Sequence, residues 1–226
     1  MKRLFPPLLI ASIGFAQSFR LGGEGGVPLA NAFEVGPSVC YPVSGLCAQW
    51  SYSSSTRRYT IGATAELDLS SRFAIKADAL YKRLGFDSAE VYGGILALTT
   101  ASTTANSWEV PLLAKYSLSK PKPLRPYVEA GVAFRTLQGV LQKSPFWQCL
   151  FCDLVRGPIQ TNDPAELSHR FTQGLAAGAG LELRHGALGV FGEIRYTYWT
   201  ADAFAAPDAV LNSARNQADL LVGVTF

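Results

Sequence analysis

Four cysteines, two histidines and charged residues recurring at every second position are the groups in this 226-residue chain that could carry chemistry. Cys40, Cys47, Cys149 and Cys152 form an even set, which in an oxidising exterior favours disulfides with three possible connectivities. Two local bridges, Cys40–Cys47 and Cys149–Cys152, are preferred over bridges crossed between the two segments. The Cys-x-x-Cys spacing also supplies half a zinc site, but no histidine stands near it, and it does not open a helix as a redox motif would. Ser168-His169 with Glu166 nearby offers the residue types of a Ser/His/acid lipid hydrolase. Neighbours on a strand point to opposite faces, however, so Ser168 and His169 are poorly placed to hydrogen-bond. His185 falls in a short turn. No phosphate loop, HExxH helix or nucleophile elbow is present. The chain is therefore read as a non-enzyme with no catalytic residue, metal or cofactor, a lipid hydrolase at one rim being an alternative.

The charges define the elements that must hold them. Glu24, Glu66, Asp68, Lys76, Asp78, Lys82, Glu109, Lys115, Glu129, Arg135, Glu182, Glu193, Arg195 and Asp219 each alternate with apolar neighbours. This period of two predicts strands over eight segments: 18–28, 57–69, 72–85, 106–118, 125–137, 170–184, 187–199 and 216–226. Connections of two to six residues at 70–71, 119–124 and 185–186 alternate with long ones at 29–56, 86–105, 138–169 and 200–215. In an up-and-down barrel every second connection emerges on the same side, so this sorting puts four long loops on one rim and three short turns on the other. Pro111 lies inside the fourth segment, where it has no N–H to donate, and a bulge is expected there.

Composition sets the compartment. Apolar residues at 48% and charged residues at 16% exclude a disordered chain. The net charge of +3, two units of it from Lys2 and Arg3, gives no reason to expect a nucleic-acid partner. A basic start, an apolar run from Leu4 to Phe15 and small residues around Ala16 are the layout of a cleaved signal peptide over residues 1–18. Pro6-Pro7 and the shortness of the run argue against a spanning helix.

Three features decide which way the apolar face points. Charges of both signs on the polar face can pair inside a lumen that eight strands make just wide enough for side chains. Gly174, Ala176, Gly178 and Gly180 on that face leave room for long partners. Apolar-face aromatics gather in two belts, as at membrane interfaces. Tyr59, Tyr81, Trp108, Phe134, Phe171, Tyr196 and Tyr198 are expected near the long-loop rim, with Phe19, Phe73, Tyr116 and Phe226 near the short-turn rim. The apolar face is therefore assigned to lipid and the lumen to a plugged charge network.

The stretches Gly25-Gly26-Val27-Pro28-Leu29 with Ala32-Phe33, Asp78-Ala79-Leu80-Tyr81-Lys82-Arg83-Leu84-Gly85, and Trp108-Glu109-Val110-Pro111-Leu112-Leu113-Ala114-Lys115-Tyr116 now point to a family. So do Arg125-Pro126-Tyr127-Val128-Glu129-Ala130-Gly131, Glu193-Ile194-Arg195-Tyr196 and Leu221-Val222-Gly223-Val224-Thr225-Phe226. In order and spacing they resemble the small bacterial outer-membrane β-barrel domain proteins, in the broad class of the OmpA and OmpX barrels. The resemblance covers essentially all of the chain beyond residue 18. It implies export to the cell outer membrane, with Phe226 and Val224 read as the signal for the outer-membrane insertion machinery. It does not imply one activity, since members serve as tethers, adhesins, channels or enzymes. The expected partners are outer-membrane lipid, that machinery during biogenesis, and a surface ligand at loops 29–56 and 138–169, the barrel itself being monomeric. Phe146, Trp147, Leu150, Phe151, Leu154 and Val155 make the second loop unusually apolar, for a partner, for the outer leaflet or for packing on neighbouring loops. A structural or recognition role is the leading expectation, and a narrow pore the alternative.

Overall fold

Uninterrupted alternation over ten or more residues suits a pleated strand with unlike faces, and the chain uses it to build a closed wall. The computed structural model describes residues 18–43, 46–92, 97–119, 123–145, 147–149, 155–206 and 210–226. The expected leader lies outside them up to residue 17, as do the side chains of the apolar cluster around Cys149 and Cys152. Eight strands form the wall: β1 (Ser18–Pro28), β5 (Thr60–Asp68), β6 (Phe73–Tyr92), β7 (Ala97–Ser117), β8 (Leu124–Ser144), β12 (Phe171–His185), β13 (Leu188–Trp199) and β15 (Asn216–Thr225). Each pairs antiparallel with the next, and β1 closes the ring on β15 in a register running from Gly22↔Thr225 to Pro28↔Asp219. The expected eight-stranded antiparallel barrel is thus present. No helix among the described residues is long and apolar enough to cross a membrane.

Burial follows the pleat. Along β13, Val190, Ile194, Tyr196 and Tyr198 are exposed, whereas Phe191, Glu193, Arg195, Thr197 and Trp199 are buried. The pattern continues around the ring, with Leu21, Ile61, Ile75, Leu112, Val132, Leu175, Leu181 and Val222 all facing out. Apolar outside and charged inside reverses the arrangement of a water-soluble barrel and suits hydrocarbon surroundings. The short connections lie at one rim, where Gly186 takes a φ of 60° in the turn from β12 to β13.

Two expectations are corrected. Residues 86–105 are not a loop: β6 and β7 run on beyond the wall and stay paired as far as Tyr92↔Ala97. Ser, Thr and Ala dominate this stretch, so it lacks the apolar–polar alternation that a lipid-facing strand shows, although its backbone pairs equally well. Pro111 makes no bulge. It stays in register with Ala133, while Asp78 and Ala79, opposite Pro111 and Val110 in turn, lose their pairing on the β6 side, consistent with the missing N–H. The register shift in β7 instead lies between Thr104 and Asn106, near Gly139 with its φ of 55°.

The other long connections also carry strands. β2 (Phe33–Val35) pairs with β14 (Leu211–Ser213), and β3 (Val39–Val43) pairs with β4 (Leu46–Ser54). β4 in turn lies against the upper half of β6, from Ser54↔Phe86 to Ala48↔Tyr92. β9 (Trp147–Cys149) joins β7 and β10 (Val155–Arg156), and β11 (Ile159–Thr161) joins β8. Beneath this crown an apolar cap closes the upper mouth. Phe33, Phe86 and Phe204 meet edge to face with centroids 5.3–5.9 Å apart, packed with Leu84, Leu137, Val140 and Leu211.

Candidate functional site

The lumen is filled in tiers. Nearest the short turns, Arg20 reaches Glu66 at 2.6 Å, Glu182 at 2.8 Å and Asp68 at 3.0 Å. Lys115 bridges Glu66 and Glu182 at 3.0 and 3.1 Å, and Arg184 adds Glu182 at 2.9 Å. Below this tier a recess of about 350 Å³ opens at the rim between Asp68, Ser70, Phe73, Arg125 and Arg184.

The middle tier sets two cations against four carboxylates. Lys76 lies 3.0 Å from Glu193, 3.4 Å from Glu24, 3.7 Å from Asp78 and 4.0 Å from Glu129. Arg195 pairs with Glu193, with Asp78 at 2.7 Å and with Glu129 at 3.3 Å. Tyr127 donates its hydroxyl to Glu193 at 2.7 Å. A Cβ built on Gly180 would come 2.6 Å from the Tyr127 ring, so only glycine leaves that ring its place.

In the top tier, Lys82 bridges Glu109 and Asp219 at 2.9 Å each. Arg135 lies over the Trp199 ring at 4.2 Å and donates to Thr172 at 3.1 Å. Lys76 over Phe191 at 4.5 Å and Lys115 over Tyr127 at 4.2 Å repeat this stacking of cation on ring. Burying charges costs several kcal/mol per ion unless each has partners. Shared partners in every tier supply that compensation, because the strand register stacks opposite charges from facing walls.

The structure places Glu24, Glu66, Lys76, Asp78, Lys82, Glu109, Lys115, Glu129, Arg135, Glu182, Glu193 and Arg195 in this network. Sequence reasoning passed over Arg20, Arg184 and Tyr127. Strand parity was the available signal: Arg20 shares a face with Glu24, Arg184 with Glu182, and Tyr127 with Glu129.

The outer face carries the aromatic residues. Tyr59, Tyr81 and Trp108 form a run with centroids 6.4 and 5.3 Å apart, and Phe134 stacks on Phe171 at 6.2 Å. Tyr196 and Tyr198 are exposed on β13, as are Phe19, Phe73, Tyr116 and Phe226 towards the other rim.

In the crown the hydrolase residues are not assembled. His169 turns Nδ1 to the Asp202 carbonyl at 2.9 Å, whereas Glu166 is buried and accepts from Tyr52 at 3.3 Å and from Gln142 at 3.2 Å. Burial and the neighbouring Glu166 carboxylate push the Tyr52 phenol above its usual range, so it remains a donor. Cys40 is disulfide-bonded, while the side chains of Cys47, Cys149 and Cys152 lie outside the described residues. Among the described residues, no three His, Cys, Asp or Glu side chains converge as a metal site.

A family model described as "Outer membrane protein beta-barrel domain" matches residues 15–198. No curated protein matches the chain. Among solved structures, the outer membrane protein OprG from Pseudomonas aeruginosa is 13% identical, with 92% of this chain and 94% of that chain covered and a TM-score of 0.50. Neisserial surface protein A is 12% identical over 93% and 98% of the two chains, with a TM-score of 0.42. The N-terminal β-barrel domain of Pseudomonas aeruginosa OprF is 14% identical over 92% and 97%, with a TM-score of 0.37. OprG supports the fold alone. The family match spans most of a closed ring that is apolar outside and ion-paired within, and the chain therefore belongs to the outer membrane protein β-barrel domain family.

Proposed function

We propose that this outer-membrane barrel is a non-conducting, non-enzymatic platform that presents its crown for recognition at the cell surface. The observation that carries this reading is the filling of the barrel from end to end. Three tiers of paired charges occupy the lumen, and an apolar cap of Phe33, Phe86 and Phe204 lies over its outer mouth. A pore needs a continuous wet path, and fully buried Arg135, Arg195, Tyr127, Lys76 and Trp199 stand across it. The crown, by contrast, is built from paired strands, which hold a recognition surface more firmly than irregular loops do.

The same reading includes a leader cleaved near Ala16 or Ser18, insertion directed by Phe226 and Val224, a monomeric barrel, and local Cys40–Cys47 and Cys149–Cys152 bridges bracing the crown. Planar-bilayer recording of the purified barrel tests the central claim. Wild type should be electrically silent, and Glu129→Ala or Arg135→Ala should introduce conductance by opening the packed tiers. Discrete channels in wild type would overturn it.

A further inference from the structure

The short-turn end of the barrel carries more positive charge than its ion pairs use. Arg20, Lys115 and Arg184 already balance Glu66, Asp68 and Glu182, each carboxylate lying within 3.3 Å of at least two of these cations. Arg72 and Arg125 line the recess of about 350 Å³ beneath them, both half-buried, so that five cationic side chains stand against three carboxylates. The surplus is one of charge and holds whatever hydrogen bonds Arg125 makes. Among the described residues no carboxylate pairs with Arg72, and none of the four middle-tier carboxylates lines the recess. Residues outside the described set do not alter the balance: 1–17, which precede Ser18, and 120–122, which follow Ser119, contain no Asp or Glu.

Guanidinium groups present paired N–H donors that match the oxygens of a phosphate, and surplus positive charge in a partly desolvated recess gains most from a dianion. A phosphomonoester carries a charge of about −1.5 to −2 at neutral pH, whereas a carboxylate carries a single one. An uncharged ligand would leave the surplus uncompensated, and a cation would add to it. Hydroxyls complete the lining. Ser70 accepts the Phe73 N–H at 3.0 Å through Oγ, which leaves its own proton to donate into the recess, and Ser71 and Ser117 also line it. Phe73 both lines the recess and belongs to the exposed aromatic belt of this rim, which sets the recess at the level where lipid headgroups begin.

We propose that this recess binds a phosphomonoester dianion, held by Arg72, Arg125 and Arg184 with Ser70 donating. The site lies at the opposite rim from the crown and is independent of the surface-recognition reading. The phosphate has two sources, a lipid headgroup reached past Phe73 or a soluble phosphate, and the test separates them.

The experiment is calorimetric titration of the whole refolded barrel, in an uncharged detergent, with inorganic phosphate, with dihexanoyl phosphatidic acid and with acetate. The expected result is saturable binding of both phosphate probes and none of acetate at the same concentrations. Arg72→Gln should weaken phosphate binding about tenfold, the scale of one lost charge-assisted hydrogen bond. Arg125→Gln should do the same and keeps the test decisive should Arg72→Gln disturb the turn. Arg83→Gln, which removes the same charge from an exposed position on the upper part of β6, should leave binding unchanged. Tighter binding of dihexanoyl phosphatidic acid than of inorganic phosphate assigns the site to a lipid headgroup, and equal or weaker binding assigns it to a soluble phosphate. The proposal is overturned by acetate binding as well as phosphate, by no saturable binding of either phosphate probe, by undiminished affinity in both recess variants, or by an equal loss in Arg83→Gln.

Discussion

Replacing Arg195 with methionine should be among the most damaging single changes available in the lumen. The side chain is 2% exposed, and its loss removes the ion pairs to Glu193, to Asp78 at 2.7 Å and to Glu129 at 3.3 Å. Lys76 then faces Glu24, Asp78, Glu129 and Glu193 alone, with only Glu193 as near as 3.0 Å. Methionine keeps much of the aliphatic volume, so the effect isolates charge from packing. Deleting one partner of a buried pair costs about 3–5 kcal/mol because the remaining charges stay buried. With every 1.4 kcal/mol worth tenfold, that lowers the folding equilibrium by roughly two to three and a half powers of ten. For a slope of about 2 kcal/mol per molar urea, the unfolding midpoint should fall by about 1.5–2.5 M. Folded and unfolded fractions are read by gel mobility without boiling, in detergent or lipid vesicles. Arg170→Met is the control, since its pair with Asp163 at 3.3 Å is solvent-exposed and the midpoint should barely move. A wild-type midpoint for Arg195→Met would refute the argument that paired charges hold the interior together.

Two further outcomes follow from the same structure. Val132→Arg, on the outward face of β8, should destabilise the barrel in vesicles by about 2–4 kcal/mol if that face meets hydrocarbon; a neutral effect would reassign it. Phe86→Ala, which empties the centre of the cap beside Phe33, Phe204 and Tyr52, should cost the crown about 3–5 kcal/mol. Limited proteolysis should then cut the crown while the wall stays protected, whereas an unchanged digest would show that the cap does not support the crown.

The wall was legible because its environment imposes a strict rule. A strand between lipid and a charged lumen must alternate, and in β5 the residues Ile61, Ala63, Ala65 and Leu67 do so against Thr60, Thr64, Glu66 and Asp68. The same parity marked fourteen lumen charges, and applied evenly it would have marked Arg20 and Arg184 as well. Beyond the membrane that rule lapses. The upper halves of β6 and β7 have water or crown on their faces, and their Ser, Thr and Ala residues carry no periodic signature. Pro111 misled for a related reason. A missing donor predicts a local defect but not its form, and neighbouring pairs such as Ala77↔Leu112 and Pro111↔Ala133 were enough to hold the register.

By itself the sequence determined the strand count, the lipid-facing side and the charges that line the lumen. All three follow from a period of two read against hydrocarbon on one side. Tertiary structure alone decided which charges meet: Lys76 with Glu193 and Arg20 with Glu182 are contacts across the lumen, set by the stagger of strands around a closed ring. It alone also decided that Phe33, Phe86 and Phe204, drawn from three distant segments, share one cap. Long-range closure has no local pattern to announce it, so Glu166 meets Tyr52 and Gln142 only once β4, β8 and the chain at 165–167 have been brought together.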